Sequence, residues 1–90
     1  MSHRARIEEV IHYIGRVDPK LIASLRDEGL FPEDEVSSEE AEELRVAIVL
    51  MRDMGVNAAG VEVILRMRHR LLTLQSRTEE ALHLLLEDQR

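Results

Sequence analysis

Cysteine and tryptophan are absent from this chain, and its only aromatic residues are Tyr13 and Phe31. Without cysteine there is no disulfide and no thiolate zinc site, so a reducing, cytoplasmic setting is expected. A core with almost no aromatic side chains must be aliphatic, which suits packed helices better than a β-sandwich. Proline occurs twice and glycine four times, so few points interrupt a helix. No apolar run approaches the ~18–20 residues that span a bilayer. The opening stretch MSHRARIEEV has no apolar segment of the signal-peptide kind, and a soluble protein free of membrane is expected.

What is present is aliphatic and charged. Ninety residues at 44% hydrophobic and 33% charged describe one small globular unit with an adequate core. The net charge is −6, and it is unevenly placed. Residues 1–30 balance to zero, residues 31–43 carry seven carboxylates and no base, and residues 44–90 sum to +1. The middle segment repels a polyanion such as DNA and attracts a basic protein surface.

The apolar spacing predicts an all-α fold. Ile7, Val10, Ile11 and Ile14 recur at helical intervals over residues 4–14. After Gly15, the stretch Val17-Asp18-Pro19 reads as a cap followed by the first helical residue, with Val17 and Ile22 as a hydrophobic staple. This second helix turns Leu21, Ile22 and Leu25 inward and stops at Gly29. Two short helices joined by a tight turn form a helix-turn-helix pattern. Pro32 blocks continuation, and Ser37 with Glu40 matches the S-x-x-E capping box of a third helix from Ser38 to Met54. Its apolar run Val46–Met51 is expected on a buried helix rather than a strand.

Gly55 is placed as a left-handed stop and Asn57 as the next cap, with Val56 able to pack on both helices. The last helix is expected from about Ala58 to about Glu87. At ~1.5 Å per residue it is about 45 Å long, too long to lie wholly on so small a body. Ile64, Met67, Leu71, Leu74, Thr78, Ala81 and Leu85 follow spacings of three and four, an a/d seam widened by Leu65, Leu72, Leu82 and Leu86. A homodimer through this stripe is expected; the alternative is a hairpin folded back on its own domain. Residues 1–56 then form the head and 57–90 the dimerising stalk. Gly60, in the first turn of the stalk, either admits a close neighbour or is merely tolerated there.

The stretches DPKLIASLRDEGLF and LRVAIVLMRDMGVNAAGVEVIL, with the heptad tail behind them, resemble the MerR superfamily. GVNAAGVEVIL is similar to a GVNLAG segment found in its HspR-type DNA-binding branch and its CbpM-type chaperone-modulator branch. The resemblance covers nearly the whole chain and is most specific over residues 51–65. It implies a winged helix-turn-helix followed by an antiparallel coiled-coil dimer. The departures point to the modulator branch. The Arg-Tyr-Tyr-Glu run of DNA-binding members falls on Ala23, Ser24, Leu25 and Arg26, and none is kept. The turn between the first two helices is one residue longer than the family's. The arginine-bearing wing is reduced or absent, with only Glu33-Asp34-Glu35-Val36 in its place, and three carboxylates cannot meet phosphates.

The modulator branch implies a J-domain co-chaperone as partner, held through its basic helix. Glu33, Asp34, Glu35, Glu39, Glu40 and Glu43 are the expected contacts; Phe31 or Leu30 would be the nearby apolar anchors, but both are expected first in the core. The alternative, a dimeric transcriptional regulator, would use Arg16, Lys20 and Ser24 on DNA, beside an unhelpful Asp27. No enzyme, metal or cofactor is expected. Ser37 and Ser38 read as cap residues, no glycine loop cradles a phosphate, and His69 and His83 lack the i, i+4 spacing of helical metal ligands.

Overall fold

A computed structural model of the chain describes residues 3–88. Four helices and one short ribbon follow in the order β1 (Arg4–Arg6), α1 (Ile7–Ile14), α2 (Pro19–Asp27), β2 (Glu35–Ser37), α3 (Ser38–Arg52) and α4 (Ala58–Asp88). The fold is mainly helical, as the spacing predicts. Two expected bounds are corrected. Arg4–Arg6 is a strand rather than the start of α1, because its backbone pairs with β2; α3 ends at Arg52 rather than Met54. The ribbon is antiparallel, with Arg4 opposite Ser37, Ala5 opposite Val36 and Arg6 opposite Glu35.

The helix ends obey local chemistry. The Asp18 carboxylate accepts from the Lys20 N–H at 2.9 Å, with Pro19 opening the helix. At the other end of α2, Gly29 has φ +80°, the Leu30 N–H reaches the Leu25 carbonyl at 3.0 Å, and the Gly29 N–H reaches that of Arg26 at 2.9 Å. This reciprocal pair satisfies carbonyls the helix leaves open. Ser37 and Glu40 form the full capping box at 3.1 Å in both directions. Asn57 caps α4 through the Gly60 N–H at 2.8 Å.

The four helices and β2 contribute to one largely aliphatic core. Ile7, Leu25, Val36, Leu44, Ala47, Ile48, Val61 and Leu65 are buried, together with Phe31. Phe31 sits at φ +51°, a left-handed conformation uncommon for a bulky residue. Its buried ring and the Arg26 Nε–H bond to its carbonyl at 3.1 Å hold it there. Leu65 is the last buried residue of α4 among those described, and the helix continues unbroken for more than twenty residues beyond it. The hairpin alternative is thereby excluded, and the long axis of the chain reaches 55 Å. No helix among the described residues is long and apolar enough to cross a membrane.

Candidate partner-binding surface

The acidic segment is fixed by backbone before any side chain acts. The β1–β2 ladder ties Glu35 opposite Arg6, and the Ile7 N–H donates to the Asp34 carbonyl at 2.7 Å. Residues 33–35 therefore lie against the first turn of α1, where Arg6, the cap position, offers no side-chain bond. That end of the helix carries partial positive charge and favours nearby carboxylates.

Arg26 and Arg4 partly neutralise this segment. Arg26 lies 3.4 Å from Asp34 and also reaches the Glu33 carbonyl; Arg4 lies 3.7 Å from Glu35 and 4.0 Å from Glu40. The pairs are open to water. The side chains of Asp34 and Glu35 remain 83% and 64% exposed, so both stay available to another cation. Such exposed pairs contribute little stability, about 0–1 kcal/mol.

The six expected carboxylates do not share one setting. Glu40 spends one oxygen on the capping box and is half-buried. Glu39 and Glu43 line a separate open groove of about 600 Å³ between α3 and α4, opposite Arg68, His69 and Arg77. Glu33, Glu39 and Glu43 form no ion pair among the described residues. Glu42, on the same helix, is held below the usual carboxylate range, first by its hydrogen bond from Arg45, which outweighs an opposing desolvation, with the charges of Arg45 and then Arg68 adding to the lowering.

Neither protein-family models nor curated proteins nor solved structures give a match to this chain.

The stalk bears the expected stripe with one correction. Met67, Leu71, Leu74 and Leu85 are each more than half exposed, Ala81 and Thr78 are exposed, and Ile64 is half-buried. Leu65, expected to widen the stripe, belongs to the core because α4 enters the body on that side. Leu72, Leu82 and Leu86 remain exposed, joined by Val63 and Leu84. The Thr78 hydroxyl donates back to the Leu74 carbonyl at 2.9 Å, which hides its polarity within the helix.

Of the residues set against DNA, Arg16 is exposed in the α1–α2 turn at φ +55°, and Lys20 is exposed in the first turn of α2. Ser24 is half-buried, so it is partly withdrawn from any such face. Phe31 and Leu30 take the core placement expected first of them, not the anchor role: Phe31 is only 6% exposed, and Leu30 packs against the core. The residue that sequence reasoning passes over is Tyr13. It lies on α1 and is 91% exposed. The available signal was its position between Val10 and Ile14, off the inward row of Ile7, Ile11 and Ile14.

Proposed function

We propose that this chain is a non-enzymatic modulator that works as a homodimer and binds a basic protein surface, the J-domain of a co-chaperone being the partner suggested by its resemblance to the chaperone-modulator branch of the MerR superfamily. The observation that supports it most is the exposure of Asp34 and Glu35 on a backbone-anchored ribbon. A wing that grips phosphates would need bases at that place. Attraction to a basic helix there would speed association and weaken with salt.

Dimerisation is supported by the row of leucines left open on α4, which is larger than single scattered apolar residues require. Charge supports an antiparallel sense. Residues 63–77 carry four arginines and no acid, whereas 78–88 carry four carboxylates and neither Lys nor Arg. Two stalks running in opposite directions set unlike halves together; parallel stalks set like against like. Because the chain lacks cysteine, introduced thiols report the arrangement directly. A mixture of Met67→Cys and Leu85→Cys chains should form the mixed disulfide, and each variant alone should form little.

The partner claim is tested by titrating a labelled J-domain with the protein and with the Glu33→Lys, Asp34→Lys, Glu35→Lys triple variant. Loss of binding supports it, and unchanged binding removes this surface. The α1–turn–α2 arrangement keeps a DNA-binding reading in view. Submicromolar, sequence-dependent binding to duplex DNA at low salt would replace the modulator reading with that one.

A further inference from the structure

Charge alone steers a partner, but specific affinity needs desolvated apolar contacts. Phe31 and Leu30, the apolar residues nearest the acidic segment, are occupied in the core, so the anchor must lie elsewhere. A groove of about 460 Å³ runs between α1, β1 and α3. Ala5, Val10, Ile14, Val36 and Ala41 line it, and the exposed ring of Tyr13 stands at its edge. Exposed tyrosine beside an apolar groove is an arrangement common at binding hot spots, since the ring covers large area at low entropic cost.

The charges around the groove select its occupant. Arg4 at the rim is tied to Glu35 and Glu40, and Arg45 is bonded to Glu42 at 2.6 Å. Glu9, also on the rim, forms no ion pair among the described residues. The rim's two arginines are therefore matched within the chain while the Glu9 carboxylate is left over; His3, the remaining basic residue at the rim, makes no ion pair among the described residues. The Arg4 pairs also join the groove to the acidic residues already described.

We propose that this groove receives the apolar face of a basic amphipathic helix of the partner, with Tyr13 closing over its anchors and Glu9 meeting a Lys or Arg side chain. The mode is helix-in-groove recognition. It rests on the reading of the acidic surface as a partner site, and the experiment separates the two.

Tyr13 is the only tyrosine and the chain has no tryptophan, so intrinsic fluorescence reports this groove alone. The probes are two synthetic helical peptides without Tyr or Trp. One has a leucine face and a lysine face; the other carries serine in place of leucine at equal charge. The leucine peptide should shield Tyr13 from acrylamide quenching and bind about tenfold more tightly than the serine peptide. Tyr13→Ala should remove that preference, read by polarisation of the labelled peptides, and circular dichroism should be unchanged because the ring is exposed. Equal binding of both peptides with no shielding of Tyr13 overturns the groove while leaving the acidic surface standing. Absence of salt-dependent binding by either peptide, together with indifference to charge reversal at residues 33–35, overturns both.

Discussion

A β-carbon placed on Gly60 would lie 2.9 Å from Cγ1 of Val56 and 3.2 Å from Oδ1 of Asn57. The neighbour that excludes a side chain at position 60 is thus the staple and cap of its own helix. Val56 also donates its N–H to the Leu50 carbonyl at 3.0 Å after the left-handed turn at Gly55. One residue fixes the end of α3 and the start of α4, and Gly60 leaves room for it.

Gly60→Ala should therefore lower stability instead of giving the gain of up to about 1 kcal/mol expected for such a change in a helix. Overpacking costs about 1–3 kcal/mol, so the urea midpoint should fall. In a Val56→Ala background the same substitution should become neutral or stabilising. An equal loss in both backgrounds would place the strain elsewhere.

Ser37→Ala should cost about 1 kcal/mol by removing the acceptor for the Glu40 N–H. For a domain of this size that is a fall in Tm of about 4–8 °C. Glu40→Lys should also destabilise, because it loses the reciprocal bond at 3.1 Å. Glu33→Lys, by contrast, should leave Tm unchanged. Thermal melts of the three variants separate capping from partner binding, which is why Glu40 is a poor choice for charge reversal in a binding assay.

Leu71→Glu combined with Leu85→Glu should abolish self-association while the head stays folded. Both side chains are exposed on the stalk, at 65% and 59%, beyond the last buried residue of α4. Sedimentation should move to the monomer, and helix content should fall as the unpartnered stalk frays. A monomeric wild-type protein at high concentration would refute the pairing stalk outright.

The Glu42 carboxyl should titrate below an ordinary glutamate, and Arg45→Gln should return it toward the normal range. Asp53 should behave alike with Arg52, whose Nε lies 3.0 Å from its Oδ1. Both folded values lie below the unfolded ones. The stabilisation they contribute is therefore complete above the unfolded value and disappears as pH falls through the folded one. Carboxyl-detected NMR titration measures the midpoints. Because the pairs are open to solvent, added salt should shrink the shifts.

Helix by helix, the amino-acid order was sufficient wherever the deciding chemistry is local. Asp18-Pro19, the Ser37–Glu40 box, Gly29, Gly55 and Asn57 each act within a few residues, so they mark starts and stops without knowledge of the rest. The three-four spacing likewise set the apolar stripe of α4. Tertiary structure decided what depends on distant partners. Arg4–Arg6 became a strand because Glu35–Ser37 came to lie beside it, and three residues are too few to show alternation. Leu65 and Leu72 stand one heptad apart and look equivalent in the pattern, yet only Leu65 is buried in the body. Phe31 went into the core and Tyr13 stayed in solvent, and for Tyr13 the order of residues gave no warning: burial is a property of what packs nearby, which one-dimensional order does not contain.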